Sequence, residues 1–409
     1  MNLTNREKIL ILGGNTAQLP LITAAKNEGY HVVLCDYTTT NPGIALADTH
    51  HQENFMHREE VLRIAQSEGV RGIISNSEAA MPVVAYVSEK LGLVGNTLAS
   101  VETLTSKKKF RDLQHRLGMF TPECVISSSF GEALEEAKSL KFPAVMKPEQ
   151  SSGSRGTTRI ESWEDMKSCA EQWEACSKFS RSGQVVIEEF VDMPSLDDVI
   201  DGDIFMHNDI FLWDGLFTSK RSKYAPTIPI TQTYPPVLTN EELDEVKASI
   251  SAILKGAGIT FGEFNVELYY TSEHKLFCIE INARQGGNNI PVMVRKHSGI
   301  DMYKLLVTTS MGHDDYLNAP PPRKCNYVVN HVVFTHTAGI FRGLHISPKI
   351  SPYVTEILHD KETGSYLHAG VNATDRLAMV YLEFPSRELQ LKFTADIEEH
   401  IYPVMEEQS

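Results

Sequence analysis

The chain has 409 residues, with 53 acidic and 38 basic side chains and a formal net charge of −15. This charge argues against a nucleic-acid or anionic-membrane partner, because both attract basic surfaces. The sequence contains no apolar run of roughly 18 residues that could span a membrane, and residues 1–14 lack the apolar centre of a signal peptide. We therefore expect a cytoplasmic protein. Its six scattered cysteines form no CxxC pair, which indicates reduced thiols.

The first hundred residues have the pattern of a βαβ fold. An apolar strand at Lys8–Leu12 leads into a glycine pair, a helix-like run at residues 18–28, and a second strand that ends at Asp36. The glycine turn lacks GxGxxG spacing, so a tight turn is a better interpretation than a phosphate cradle.

A further strand is predicted at residues 72–75, followed by helices at residues 80–91 and 105–118. Glu78 then lies at the carboxyl end of a strand, where open α/β sheets bind ligands. Two interpretations remain open for Glu78, ligand binding or a simple helix N-terminal position, and the second is favoured.

A polar loop follows the strand predicted at residues 144–147. This loop, residues 150–158, is small, polar and interrupted by glycine, with Ser152, Gly153 and Ser154 at its centre. Such composition suits either a linker or a lid that cradles an anion, and its position directly after Lys147 favours the lid.

The next elements carry charges in otherwise apolar surroundings. A strand at residues 185–191, VVIEEFV, is interrupted by Glu188 and Glu189. Two strands are predicted within residues 201–216, and Lys220 and Arg221 follow. Residues 241–256 have the apolar spacing of a helix.

Two β-rich runs, residues 264–270 and 275–282, flank a four-residue loop and predict a hairpin. With Glu267 opposite Cys278, the two carboxylates of Glu267 and Glu280 become diagonal neighbours, roughly 7 Å apart at Cβ. Asn265 and Asn282 share their face of the sheet. The opposite face, directed into a core, is predicted to hold Phe264, Val266, Leu268, Phe277, Ile279 and Ile281.

Two acids on one face of a hairpin are either solvated or neutralised by a cation. The residues that follow the hairpin favour neutralisation by a cation. Arg284 adds a fixed positive charge, and the pair Gly286-Gly287 allows a ligand to approach the backbone.

The segment from Glu280 to Arg284, EINAR, followed by two glycines and preceded by Glu267, resembles the metal-binding end of the ATP-grasp fold. That family includes biotin carboxylase, D-alanine:D-alanine ligase, carbamoyl phosphate synthetase and the L-amino acid ligases. The resemblance implies a multidomain chain of α/β and α+β class. The expected parts are a Rossmann-like domain (1–103), a small lid subdomain (104–187), a large subdomain with the metal site (188–317) and a C-terminal β-rich subdomain (318–409).

The resemblance also implies a nucleotide site. Of three adjacent lysines, Lys107 has the spacing to Phe110 and Arg111 of the family's phosphate-contacting lysine, although Ser106 replaces the usual Asp. Asp197 stands where a Glu usually holds the ribose. The implied ATP-contacting residues are Lys107, Lys147, Ser152, Gly153, Ser154, Glu188, Glu189, Val191 and Asp197.

The implied chemistry is ATP-dependent ligation of a carboxylate to an amine through an acyl phosphate. Glu267, Glu280 and Asn282 would bind Mg²⁺ or Mn²⁺, and Arg284 would act on the transferred phosphate with Lys220 or Arg221. Small-molecule acids and amines are the expected partners, and a homodimer is one option. A bicarbonate-dependent carboxylase and a non-catalytic nucleotide-binding module remain as alternatives.

The remaining sequence carries no recognisable chemistry. Residues 292–312 are predicted as one helix, and residues 318–322, NAPPP, as a stiff linker. The last part of the chain alternates short strands with turns and ends in a helix predicted at residues 387–400.

Overall fold

The computed structural model describes residues 6–150, 156–196, 198–222, 229–322, 327–370 and 375–406. Within these residues, no helix is both long and apolar enough to cross a bilayer. Ser152, Gly153, Ser154 and Asp197, which the sequence assigned to the nucleotide, lie outside the described residues.

The N-terminal unit, up to residue 105, is a parallel sheet with strand order β3-β2-β1-β4 and helices on its faces. Its strands are β1 (Lys8–Leu12), β2 (His31–Cys35), β3 (Thr49–His51) and β4 (Gly72–Ile74). Its α-helices are α1 (Leu19–Asn27), α2 (Arg58–Glu68), α3 (Met81–Leu91) and α4 (Leu98–Thr105). Since all four strands are parallel, their carboxyl ends lie on one edge of the sheet.

At that edge, hydrogen bonds within the protein hold the glycine turn that follows β1. The Asp36 carboxylate accepts hydrogen bonds from the Gly14 backbone N–H at 2.7 Å and from the Asn41 side chain at 2.7 Å. Burial alone would raise the pKa of Asp36, but these hydrogen bonds and those from Thr38 lower it. The turn is therefore closed by the chain's own carboxylate, in agreement with the tight-turn interpretation.

A linking helix, α5 (Lys107–Arg116), precedes the small unit, residues 124–189. The helix predicted at residues 105–118 is confirmed as α5 and is shorter at both ends, because Ser106 ends α4 and caps α5 by accepting from the Lys109 N–H. The small unit is an antiparallel sheet with strand order β5-β8-β6-β7. Its elements are β5 (Cys124–Ser127), α6 (Phe130–Glu136), β6 (Ala144–Pro148), β7 (Thr158–Ile160), α7 (Trp163–Lys167), α8 (Ala170–Phe179) and β8 (Val185–Glu189).

The large unit contains most of the nine-stranded sheet. Its elements are β9 (Val199–His207), β10 (Ile210–Leu212), β11 (Leu216–Arg221), β12 (Pro229–Tyr234), α9 (Asn240–Gly256), β13 (Phe261–Tyr270), β14 (Leu276–Asn282), α10 (Ile290–Ser298), α11 (Met302–Ser310) and α12 (Asp315–Asn318). Residues 292–312, predicted as one helix, are thus two. Gly299 ends α10 in a left-handed conformation, and the Asp301 side chain caps α11.

The C-terminal strands continue the same sheet, whose path runs β14-β13-β9-β11-β12-β15-β19-β17, with β10 paired to β9. A separate three-stranded sheet has the order β18-β16-β20. The elements are β15 (Val328–Val333), β16 (Gly339–Ile346), β17 (Val354–His359), β18 (Tyr366–Leu367), β19 (Ala378–Glu383), α13 (Arg387–Ala395), α14 (Ile397–His400) and β20 (Ile401–Glu406). Asp396 divides the predicted final helix in two, and the domain boundaries drawn from the sequence stay a prediction.

The two faces of the large sheet have different roles. One face packs on α9 through an apolar cluster that includes Phe264, Val266, Leu268 and Ile281. The other face, carrying Glu263, Asn265 and Glu267 by alternation along β13, looks toward the N-terminal unit. The polar side chains of the sheet therefore collect between the units.

Candidate active site

The hairpin of β13 and β14 carries the predicted metal-binding acids, but in a different register. The loop is one residue longer than predicted, with Tyr270 opposite Leu276, and a bulge between Glu267 and Leu268 adds a second residue. Glu267 therefore lies directly opposite Glu280, and Asn265 lies opposite Asn282. The prediction of diagonal acids, with Glu267 opposite Cys278, was wrong. The shared face of the two acids and two amides was right, and direct opposition brings the carboxylates closer than predicted.

The same bulge changes which residues of β14 enter the core. Cys278 and Ile281 pack in the cluster under α9. Phe277, predicted to join them, instead packs edge-on against Tyr269 and Phe120. Ile279, also predicted in the core, is only half-buried. One extra residue on β14 thus reverses the side-chain alternation near the loop.

A third carboxylate, missed in the sequence, completes a row across three neighbouring strands. Asp201 on β9 is the register partner of Glu267, which in turn faces Glu280. Asp201 accepts from the Gly202 backbone N–H at 3.0 Å and from the Ser219 hydroxyl at 3.3 Å. The signal was available, because Asp201 and Asp203 alternate in an apolar strand as Glu267 does in its own.

Arg221 provides the positive charge next to this row. Its guanidinium donates to Glu267 Oε1 at 2.5 Å and lies 3.9 Å from Asp201 Oδ2. Burial raises the pKa of the Glu267 carboxyl, and the neighbouring Asp201 and Glu280 add to the rise while Arg221 opposes it. One arginine therefore does not neutralise the row, and a further cation would be favourable there.

Lys220 was predicted to share this role, and the structure places it elsewhere. Its ammonium donates to the Ala395 carbonyl at 2.9 Å, at the end of α13. Adjacent residues on a strand point to opposite faces, so Lys220 and Arg221 diverge. Among the described contacts, Arg221 is the residue of this pair that reaches the carboxylates of Glu267 and Asp201.

The glycine pair after Arg284 has two separate functions. The Gly286 N–H donates to both oxygens of Asp203 at 2.9 Å. A Cβ on Gly286 would lie within 2.7 Å of Asp203 and 2.6 Å of Asn265, so no larger residue fits. A Cβ on Gly287 would meet nothing within 4 Å. Close packing therefore explains Gly286, and only Gly287 leaves open space for a ligand.

The buried carboxylate of Asp203 belongs to the support of this loop. It also accepts from the Asn265 side chain at 3.0 Å. Burial raises its pKa, whereas the hydrogen bonds from Gly286 and Asn265 lower it. Asp203 therefore ties the loop after β14 to β9 in the middle of the sheet.

The predicted nucleotide lysine, Lys147, ends β6 and is only 12% exposed. The sequence assigned its charge to a phosphate, but Lys147 already forms an ion pair with Glu188 on the neighbouring strand β8. Burial lowers the pKa of the Lys147 ammonium, and the charge of Glu188 opposes that effect.

Glu188 is in turn held by a buried arginine of α5. Arg111, 2% exposed, donates to Glu188 at 3.2 Å, to the Gln114 side chain at 2.8 Å and to the Cys278 carbonyl at 3.2 Å. Burial alone would raise the pKa of Glu188, but Arg111 and Lys147 outweigh it and lower the pKa to about 2. Glu188, predicted at the adenine hinge, has both carboxylate oxygens engaged in this network.

The remaining hinge residues have defined partners. The Glu189 carboxylate accepts from the Lys141 backbone N–H at 2.9 Å, and the Val191 carbonyl accepts from the Tyr269 hydroxyl at 2.9 Å. Of the three lysines of α5, Lys108 pairs with Asp112 and Lys109 with Glu102. Lys107 instead reaches the Glu149 carbonyl at 3.3 Å, beside the end of β6.

Glu78 contacts two arginines from other units. Its carboxylate accepts from the Arg284 guanidinium at 3.2 Å, and the Arg181 guanidinium lies 3.7 Å away. Glu78 does lie in the first turn of a short 3₁₀ helix, as the favoured interpretation predicts, and it also contacts these two arginines. Sequence spacing could not reveal a contact between residues 206 positions apart.

Within the described residues, no group of three or more His, Cys, Asp or Glu side chains has the arrangement of a metal site. The predicted set contains two carboxylates and one amide, and the Asn282 side chain already donates to Glu280 at 2.8 Å. These oxygen groups are of the type that Mg²⁺ prefers.

Residues 140–292 match the family model of the ATP-grasp domain. The carbamoyl phosphate synthase large chain of Thermotoga petrophila is 23% identical over 332 residues, which cover 76% of this chain and 29% of that protein. This chain thus spans less than a third of that relative. The formate-dependent phosphoribosylglycinamide formyltransferase of Bacteroides fragilis is 25% identical over 282 residues, 68% of this chain and 70% of that protein.

The fold agrees with these matches. The crystal structure of an L-amino acid ligase from Bacillus licheniformis superposes with a TM-score of 0.75 at 17% identity, covering 99% of this chain and all of that one. The domain match includes the Lys147–Glu188 pair, the carboxylate row and Arg284. Residues 140–292 are therefore similar to an ATP-grasp domain, and the chain shares the fold of this ligase structure.

Proposed function

We propose that this protein is an ATP-dependent ligase that joins a carboxylate to an amine and releases ADP and phosphate. The observation that carries the proposal is the row of Asp201, Glu267 and Glu280 across three strands, with Arg221 bonded to Glu267. Two directly opposed carboxylates, Glu267 and Glu280, with an arginine bonded to one of them, suit a site that receives a divalent cation with a polyphosphate.

Magnesium fits this site by the chemistry of the donors. Glu267, Glu280 and Asn282 would bind the ion through oxygen atoms, and Asp201 lies next to Glu267 as a further carboxylate. When bound, Mg²⁺ would neutralise charge on the phosphate oxygens. Within the protein, Arg221 holds the Glu267 carboxylate in place and Asn282 holds Glu280 through its amide.

Lys147 and Lys107 are proposed to bind the nucleotide phosphates. Glu188 and Arg111 fix the Lys147 side chain, so that its ammonium is already positioned when ATP arrives. Lys107 is the lysine of α5 that reaches the same end of the small sheet. The backbone near Glu189 and Val191 would contact the adenine base, as the family resemblance implies.

In the proposed reaction, a carboxylate oxygen of the acid attacks the γ-phosphorus of ATP, and the bond to the β–γ bridging oxygen breaks. ADP leaves, and an acyl phosphate forms. The amine nitrogen then attacks the acyl carbon, loses a proton and displaces phosphate. Arg284 precedes the glycine pair in the loop after β14, and its guanidinium would stabilise the charge on the transferred group.

Small amino acids are the proposed class of acid and amine. The support is the fold agreement with a protein described as an L-amino acid ligase. The carboxylase alternative would use bicarbonate as the phosphorylated acid, and the binding-module alternative would give no turnover.

An ADP-release screen tests the proposal. Purified protein with Mg-ATP is incubated with pairs of amino acids and small carboxylates, and Glu280→Gln protein is the control for contaminating ATPases. We expect at least one pair to release ADP together with a coupled product, and only with the unsubstituted protein. ADP release that requires bicarbonate would support the carboxylase instead, and the absence of turnover across the panel would favour the binding module.

A further inference from the structure

Glu78 of the N-terminal unit lies between arginines of the two other units that form the candidate site. Its Oε2 accepts from Arg284 Nη2 at 3.2 Å, and its Oε1 lies 3.7 Å from Arg181 Nη2. The three side chains are partly enclosed, with 12% of Glu78, 18% of Arg284 and 33% of Arg181 exposed. One carboxylate thus connects three parts of the chain.

The turn that presents Glu78 is held rigidly at the carboxyl edge of the parallel sheet. The Ser75 hydroxyl donates to the Leu12 carbonyl at 2.7 Å and accepts from the Ser77 N–H at 3.1 Å. The Asn76 side chain accepts from Gln18 at 2.7 Å and donates to the Ala17 carbonyl at 2.7 Å. Because the end of β1 and the short 3₁₀ helix after it fix this turn, Glu78 has a defined position relative to the N-terminal unit.

Arg181 connects Glu78 to the start of the polar loop at residues 150–158, which is the predicted lid. It lies in the turn between α8 and β8, and its backbone N–H donates to the Gln150 carbonyl at 3.1 Å. Gln150 is the first residue of the segment 150–158. The backbone of Arg181 therefore contacts the base of the segment, while its side chain faces the N-terminal unit.

Arg284 depends on Glu78 for its orientation. The other hydrogen bond of its guanidinium is to the carbonyl of the adjacent Gln285, at 2.9 Å, which belongs to the same turn of chain. Glu78 is the contact that fixes the guanidinium relative to a different unit. A carboxylate at this distance also orients the planar guanidinium through a charge-assisted hydrogen bond.

We propose that Glu78 is a positioning residue, which orients Arg284 and joins it through Arg181 to the base of the polar loop at residues 150–158. The position of the small unit and the orientation of Arg284 are then set by the same carboxylate. The functional consequence for phosphoryl transfer rests on the proposed function, whereas the link among the three residues does not.

Calorimetry with the magnesium complex of the non-hydrolysable analogue AMPPNP tests the link without turnover. The proteins compared are the unsubstituted chain, Glu78→Gln, Arg181→Gln, the double variant and Lys178→Gln, a control at an exposed position of α8. We expect each single variant to weaken binding about two- to fivefold, the range of a partly exposed ion pair. The double variant should match a single variant and the control should match the unsubstituted chain. Additive losses, or single variants that bind normally, would refute the link.

Chemical modification tests the orientation of Arg284, again without substrate. Phenylglyoxal labels accessible guanidinium groups, and peptide mapping by mass spectrometry gives a rate for each arginine. We expect Glu78→Gln to increase the rates at Arg284 and Arg181 relative to the exposed Arg116, and Glu78→Asp to keep them low because it retains the charge. Equal rates at Arg284 in all three proteins would overturn the positioning role.

Steady-state kinetics then separates positioning from structure, using the pair found by ADP release. Glu78→Gln should lower kcat by about tenfold or more, the cost of losing a hydrogen bond between charged groups. Glu78→Asp should restore most of this loss, and the melting temperatures should remain equal. A normal kcat in folded Glu78→Gln would contradict the proposal. Failure of the screen itself would count against the proposed function, while the calorimetry and labelling still decide the link.

Discussion

Glu188→Gln is expected to destabilise the small unit, because this carboxylate neutralises two buried cations. Lys147 and Arg111 approach it from different elements, and their side chains are 12% and 2% exposed. The glutamine keeps the size of the side chain and removes only its charge. Both cations would then be left without their common counter-charge in a region that excludes water.

Two estimates of the cost agree. Removing one partner of a buried ion pair typically costs about 3–5 kcal/mol, since the remaining charge is uncompensated. The pKa of Glu188 lies near 2 in place of the usual 4.5, which corresponds to about 3 kcal/mol of stabilisation of its charged form. Because this pKa is lowered, the stabilisation is present above the usual carboxyl range and is lost as the pH falls from about 5 toward 2.

Urea unfolding followed by tryptophan fluorescence measures this cost. Two of the three tryptophans, Trp163 and Trp173, pack in the core of the small unit, and a Trp213→Phe background removes the third. With a slope of about 1 kcal/mol per M for a unit of this size, a cost of about 3 kcal/mol should lower the midpoint by about 3 M. The matched control is Glu189→Gln on the same strand, whose carboxylate accepts one backbone N–H and should cost about 1 kcal/mol. Equal midpoints for the Glu188 and Glu189 variants would refute the reasoning.

Three further outcomes test the site. Glu280→Gln should lower ADP release by orders of magnitude while the melting temperature stays level or rises, because Glu280 directly opposes Glu267; normal turnover in the folded variant would reject the metal assignment. Arg221→Gln should abolish most activity and Lys220→Gln should retain more of it, since Arg221 is bonded to Glu267 and Lys220 donates to the Ala395 carbonyl; equal losses would contradict this division. Mg-ATP should raise the melting temperature, and Lys147→Ala should reduce that rise; an unchanged rise would place the nucleotide elsewhere.

Sequence patterns predicted the part of the site whose residues lie close to one another along the chain. The acids of β13 and β14 and Arg284 lie within 18 positions of one another, so strand alternation alone was enough to place them on one face. Their register was wrong because the loop is one residue longer than predicted and a bulge adds a second residue, neither with a compositional signal. The family match supports the identification of the segment, while the roles of the individual side chains stay predictions.

Contacts between units could not be predicted from the sequence in the same way. Glu78 meets Arg284 across 206 positions, and Arg111 meets Glu188 across 77. Such pairs depend on how sheets pack, which no local period encodes. The helix boundaries at Ser106 and Asp301 could have been predicted from the sequence, because Ser and Asp are preferred helix caps. Both residues were missed because they lie within amphipathic patterns.

The most direct test of the central claim is the fate of the carboxylate oxygen of the acid. Acid labelled with ¹⁸O in its carboxylate is incubated with Mg-ATP and the amine found by ADP release, and the phosphate produced is analysed by mass spectrometry. If the acid is converted to an acyl phosphate, one of its oxygens must leave with that phosphate when the amine attacks. The proposed function predicts ADP as the nucleotide product and one ¹⁸O atom in phosphate per turnover. Formation of AMP, or unlabelled phosphate alongside a coupled product, would contradict it.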